Sequence, residues 1–179
     1  SGVRYGVPID GGTQSLIPNA SVQLVYLEFG DPSLLHVEQA LQAAAAKGAS
    51  VELAWNIPGE GADMWKIPQS GEHISAVTTL LSQYSSVPIY VRFGAEMNVW
   101  TAQADPGEFI SAFQMVANTV KNSCPNAAMV WSVGFASSWD TNMNDYYPGD
   151  EYVDWVGVSL YLQKYFLGQT WSEEESFNE

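Results

Sequence analysis

An α/β fold, a parallel sheet with crossover helices, is predicted by three features of the sequence. Six short runs are rich in apolar and β-branched residues, and several are apolar almost throughout. That is the pattern of parallel strands covered on both faces. Between them lie stretches whose apolar residues recur three and four apart, the pattern of helices with one buried side. The two kinds of segment alternate, and such alternation builds a parallel sheet with helical crossovers.

The elements follow in order. A strand is expected at residues 4–9, ended by Asp10-Gly11-Gly12-Thr13. That loop has neither the GxGxxG nor the GxxxxGK[ST] spacing that a nucleotide-binding, doubly wound sheet usually places after its first strand. The second strand is expected at 22–29. A helix follows, with Leu34, Val37, Leu41, Ala44 and Ala45 on one face, opened by Asp31-Pro32 and closed by Lys47-Gly48. Asp caps free N–H groups, Pro suits the first turn, and Gly accepts a left-handed exit. The third strand is expected at 50–55. Ile74, Val77, Leu80, Leu81 and Tyr84 stripe a second helix, and the fourth strand is expected at 89–93. A third helix starts at Asp105-Pro106-Gly107-Glu108, which has capping-box spacing, and carries Phe109, Ile110, Phe113, Val116, Ala117 and Val120 on one side. Strands at 128–133 and 153–160, with a short helix between them, complete the series.

Six units of about 30 residues fit this length. A (β/α)8 TIM barrel needs about 250 residues, so the chain reads as about the first six βα units of one. No composition break marks a linker, and residues 1–179 read as a single, partial barrel domain. A doubly wound open sheet is the competing architecture.

Composition narrows the partners. At 46% apolar residues the chain can build a core. Six Lys+Arg against 20 Asp+Glu give a formal charge of -14. No basic stripe exists to neutralise phosphates, which argues against nucleic acid and against an anionic membrane surface. A neutral polysaccharide is indifferent to that field. No apolar run is long enough to span a bilayer. Cys124 is the only cysteine, so no intrachain disulfide forms, and its neighbours Asn122, Ser123, Pro125 and Asn126 read as an exposed loop. His36 and His73 lack partners at ligand spacing. No metal and no other cofactor is expected.

The most informative stretch is Ile89 through Trp100, in which an apolar run gives way to Arg92, Glu96, Asn98 and Trp100. The C-terminal ends of barrel strands are where such enzymes hold their chemistry. A carboxyl there can give or take a proton, an amide and a guanidinium can bind hydroxyls, and an indole can stack on a sugar ring. The plainer reading is a strand end whose polar residues meet water. Trp55, Trp100, Trp131, Trp139 and Tyr161 all follow or close expected strands. For each, core packing and sugar stacking are both open.

The segment Arg92-Phe93-Gly94-Ala95-Glu96-Met97-Asn98-Val99-Trp100 resembles the fourth-strand motif of family 26 glycoside hydrolases, a mainly β-mannanase family in the clan of retaining (β/α)8 glycosidases. Met129-Val130-Trp131-Ser132 is similar to that family's fifth strand. The run from Tyr146-Tyr147-Pro148-Gly149 through Val153-Asp154-Trp155-Val156-Gly157 to Tyr161 resembles the approach to its sixth. The resemblance implies a secreted or cell-surface enzyme that hydrolyses a β-1,4-linked polysaccharide such as β-mannan. Glu96 would be the general acid/base. Arg92 would lie deeper, helping to hold the nucleophile ionised. Asn98, Trp55, Asn56, Trp100 and Tyr161 would line sugar subsites, with Trp131 and Trp139 as further candidates.

Two departures stand out. Family members usually carry His immediately before the acid/base, and this chain has Ala95. The nucleophile of such barrels is a Glu ending strand seven, whereas Trp171 to Glu179 is polar and acidic and reads as a loop or helix start. The nucleophile is therefore expected beyond the chain end, with a second fragment or a swapped neighbour completing the barrel. Asp10 and Glu28 are the alternatives already present. A non-catalytic carbohydrate-binding or cell-surface domain on a degenerate barrel is the second reading, favoured by Ala95. An unrelated α/β hydrolase is the third, and no G-x-S-x-G elbow supports it.

Overall fold

Parallel strands pair in the order in which they occur along the chain. A computed structural model describes residues 6–8, 21–57, 65–66, 71–100, 105–134, 142–159, 165–166 and 169–170. Its main sheet has six strands in the order β1 to β6: Gly6–Pro8, Val22–Glu28, Ser50–Asn56, Ile89–Phe93, Ala127–Gly134 and Trp155–Ser159. Every neighbouring pair is parallel. A doubly wound sheet reverses its strand order at a switch point, and this one does not. With right-handed crossovers, an order that runs one way sets every helix on the same face, as in a barrel wall. A separate two-stranded antiparallel hairpin joins β7 (Tyr165–Phe166) to β8 (Gln169–Thr170).

The helices are α1 (Leu35–Lys47), α2 (Glu72–Ser82), the four-residue α3 (Met97–Trp100) and α4 (Pro106–Ser123), with a 3-10 turn at Met143–Tyr146. Alternation along the strands sorts the side chains. Val25, Leu27, Val51, Leu53, Ile89, Val91, Met129 and Val133 are buried toward the helices, which answer with Val37, Leu41, Ile74, Val77, Leu81, Phe113, Val116 and Val120. This is one continuous core, and its apolar burial is the main source of stability.

The caps fall partly where the sequence places them. Asp105 accepts from the Gly107 N–H at 2.8 Å and starts α4 as expected. Glu108 does not complete a capping box, since its carboxylate turns to Lys66 at 3.7 Å. Asp31 accepts from the Ser33 N–H at 2.9 Å in a local turn, so α1 begins only at Leu35. Gly48 closes α1 in the left-handed conformation (φ 64°). Cys124 departs from expectation. It caps α4, is fully buried, and its thiol donates to the Thr78 carbonyl at 3.4 Å. Burial pushes its pKa up.

The sixth-strand motif has a structural task. Asp154 accepts the Met129 N–H at 2.8 Å and an ammonium proton of Lys121 at 3.0 Å, while its own N–H donates to the Met129 carbonyl at 3.0 Å. One carboxylate thus ties β6 to β5 and to α4. Beyond it, Val156 and Val158 on the helix side of β6 are 60% and 54% exposed, and no described residue covers them.

His73 packs against Phe29 and Trp55, with ring centroids 4.7 and 5.6 Å away. Burial lowers its pKa below the ordinary 6.5, outweighing the opposite pull of Asp31. The folded state therefore favours the neutral ring, and the unfolded chain takes up a proton first. Stability held above pH 6.5 falls as acid carries the pH through the lower folded value. His73→Phe keeps the packing without the titration. Urea midpoints measured from neutral pH to about pH 5 should decline more steeply for the native chain than for His73→Phe; parallel declines would refute this.

Candidate active site

The site grows from the end of β4. Phe93 is buried toward the helices, in edge contact with Trp55 and Phe113. The chain then turns at Gly94, whose φ is 57° and whose N–H donates to the Trp55 carbonyl at 3.0 Å. A Cβ at Gly94 would lie 2.8 Å from Cη2 of Trp65 and 3.1 Å from the Phe109 ring, so only glycine fits. Trp65 was not singled out by the sequence. It is buried edge-on against Phe109 with centroids 4.8 Å apart, and it packs beneath this turn.

Glu96 follows with φ 59°, the only positive φ at a non-glycine among the described residues. A side chain in that region costs about 1–2 kcal/mol, and such strain persists where surroundings fix it. Here the Glu96 N–H donates to the Ser132 carbonyl of β5 at 2.9 Å, and its carbonyl accepts from the Val99 N–H at 2.8 Å, opening α3. The residue is 9% exposed. Its stem lies along Gly134, where an added Cβ would be 3.3 and 3.4 Å from the Cβ and Cγ of Glu96. The fold thus sets a nearly buried carboxyl side chain at the C-terminal mouth of the sheet, between β4 and β5.

Asn98 does not present its amide to the mouth. It is buried, its Nδ2 donates to the Gly134 carbonyl at 2.7 Å, and its Oδ1 accepts the Gly134 N–H at 2.9 Å. These two hydrogen bonds clamp α3 to the end of β5.

Arg92 lies one strand step deeper, on the face opposite the helices. Its Nε is 2.9 Å from Oε1 of Glu52 on β3. The N–H is not aimed at that oxygen, so the contact is an ion pair without a good hydrogen bond. On the same face Tyr90 meets Trp155 edge-on at 6.1 Å, and Tyr26 and Trp155 are 52% and 58% exposed. Glu52 is a further residue that sequence reasoning passed over. Its signal was a lone carboxylate inside the otherwise apolar run of β3.

Asn56 ends β3 at the mouth and is half-buried, and Glu28 ends β2 beside it and is exposed. Trp55 is placed differently from the expectation that it lines a subsite. It is fully buried toward the helices, stacked on Phe29 at 5.6 Å and 14°. Trp131 is likewise core: its Nε1 donates to the Tyr146 carbonyl at 3.1 Å, and its ring meets Tyr147 edge-on at 5.1 Å. The side chain of Trp100, and Asp10, Trp139 and Tyr161 entirely, lie outside the described residues. Among the described residues no group of three His, Cys, Asp or Glu side chains could hold a metal ion, and no helix is long and apolar enough to cross a membrane.

Comparison with known proteins adds three findings. The model of glycosyl hydrolase family 26 matches residues 61–174. The Prevotella bryantii endo-β-mannanase/endo-β-glucanase superposes with a TM-score of 0.66 at 16% identity, over 88% of this chain and 33% of that one. The Bacillus cereus spore cortex-lytic enzyme superposes with a TM-score of 0.59 at 13% identity, over 88% of this chain and 41% of that one. The chain thus spans well under half of either structure. No curated protein sequence matches it.

Proposed function

The chain belongs to glycosyl hydrolase family 26, and from that premise we propose that it carries the acid/base half of a retaining, endo-acting glycosidase. The substrate is a β-1,4-linked polysaccharide such as β-mannan. The observation that carries the reading is Glu96: a nearly buried carboxyl at the C-terminal end of β4, held in a strained turn against β5. Protonated, it donates to the glycosidic oxygen as that bond breaks. As carboxylate, it then takes a proton from the water that releases the sugar. Retention needs a second carboxyl about 5–5.5 Å from the first. We assign it to a later strand, in a part of the barrel that covers Val156 and Val158 of β6. Residues 1–179 are then part of one barrel domain of a secreted or cell-surface protein.

A carbohydrate-binding domain without catalysis is the second reading, and Ala95 favours it, because a methyl group cannot hydrogen-bond a sugar hydroxyl. Hydrolysis of β-mannan, glucomannan, mixed-linkage glucan and xylan separates the two. The 179-residue chain is assayed beside the full-length protein, which on this proposal carries the later strands. Activity in the full-length protein alone is the expected result. Activity in the short chain would bring the second carboxyl within it and put Glu28 and Asp10 to the test. Glycan binding with no hydrolysis by either form would establish the binding domain.

A further inference from the structure

We propose that Asn98 is a positioning residue for Glu96 and not a ligand for the sugar. The inference rests on the acid/base reading of Glu96. Its physical basis is the chain of contacts around Gly134. The Asn98 amide uses both its donor and its acceptor on one peptide unit, at 2.7 and 2.9 Å. That unit forms the wall along which the Glu96 stem lies, close enough that a single added carbon would press on it at 3.3 Å. Asn98 and Glu96 also share the turn into α3, where the Val99 N–H closes on the Glu96 carbonyl at 2.8 Å. The amide therefore fixes the distance between the Glu96 turn and the end of β5. The carboxyl oxygen that must meet the glycosidic oxygen inherits its position from that distance.

A short amide is the right group for this task. It matches a peptide group donor to acceptor, and it carries no charge that would compete with the neighbouring carboxyl. Aspartate would keep the bond from the Gly134 N–H and lose the one to the carbonyl. Alanine would lose both and leave two buried backbone groups without partners. Both changes free the Gly134 peptide and let the Glu96 side chain drift. A displacement of about 1 Å in a catalytic group can cost about 100-fold in rate.

The test uses the full-length protein and two substrates that differ in their need for an acid. An unactivated β-mannooligosaccharide has a poor leaving group and needs the proton. A 2,4-dinitrophenyl β-glycoside of the same sugar leaves as a stabilised phenolate and does not. Its kcat/KM reports only the bond-breaking step. Asn98→Ala should lower kcat on the oligosaccharide by about 100-fold with KM unchanged, and spare kcat/KM on the activated substrate. Asn98→Asp, which turns a carboxylate oxygen toward the Gly134 carbonyl, should do the same. Gly134→Ala keeps the Asn98 side chain but puts a methyl against the Glu96 stem and 2.4 Å from Cγ2 of Val99, so the start of α3 must shift away from β5. It should give the same split, and it serves if Asn98→Ala does not fold.

A rise in KM with kcat preserved would make Asn98 a sugar ligand and overturn the proposal. Equal losses on both substrates would make its role merely structural and overturn it too. Glu96→Gln run alongside separates the two levels. If Glu96→Gln shows the split and the Asn98 variants do not, the positioning role alone fails. If Glu96→Gln shows no split, the acid/base reading fails and takes the positioning role with it.

Discussion

Glu96→Gln in the full-length protein should reduce turnover of an unactivated β-mannan by about 10²–10⁴-fold, the usual contribution of a positioned general acid/base. The amide is nearly the same size as the carboxyl, and the contacts that hold residue 96 in its turn, to Ser132 and from Val99, are made by backbone groups. The substitution therefore keeps those backbone contacts and removes the titratable proton. The thermal midpoint should stay close to the native value while the rate collapses. Native-like turnover would exclude Glu96 as the acid/base. A collapse of rate and stability together would mean that the carboxyl holds the mouth of the sheet in shape, and the chemistry would then have to be sought elsewhere.

Trp55→Ala should act the other way, on stability first. The indole is fully buried, stacked on Phe29 and edge-on to Phe93, with His73 at 5.6 Å. Removing a large aromatic from a packed core leaves a cavity and costs about 3–5 kcal/mol, a large share of the stability of an ordinary domain. Urea unfolding of the chain reads this directly, and Trp55→Phe should cost considerably less because a ring still fills part of the space. A variant with native stability and a raised KM for oligosaccharide would return Trp55 to the sugar cleft.

The contrast between those two residues shows what the sequence could reveal. Glu96 was legible because the transition from an apolar run to a polar cluster marks a strand end, whatever packs around it. The alternation of strands with helical stripes was legible for the same reason: burial on two faces and burial on one face leave different periods. Trp55 could have been read correctly from alternation alone. It shares parity with Val51 and Leu53, which face the helices, whereas Asn56 takes the opposite face.

Other features had no local signature. Asn98 finds its partner 36 residues away, on a backbone group that any residue type would present. Trp65 matters because of Gly94 and Phe109, both distant in the chain. Cys124 lies among loop-forming residues, yet its side chain turns inward to Thr78 on another helix. In each case the deciding contact is made by tertiary packing, which composition and periodicity do not encode. Asp31 is a different failure, in which the residue type was right for a cap and a closer N–H at Ser33 competed for it.

The unbroken succession of β1 to β6 has a consequence for how the protein is made. Each of β2 to β6 finds a hydrogen-bonding partner in the unit synthesised just before it and can pair as soon as it emerges from the ribosome. Short-range pairing of this kind lowers the entropy lost on closing each loop and speeds assembly. Each new unit can dock on an edge that already exists, and nascent chains arrested after β3, β4 and β5 should gain protease resistance in steps.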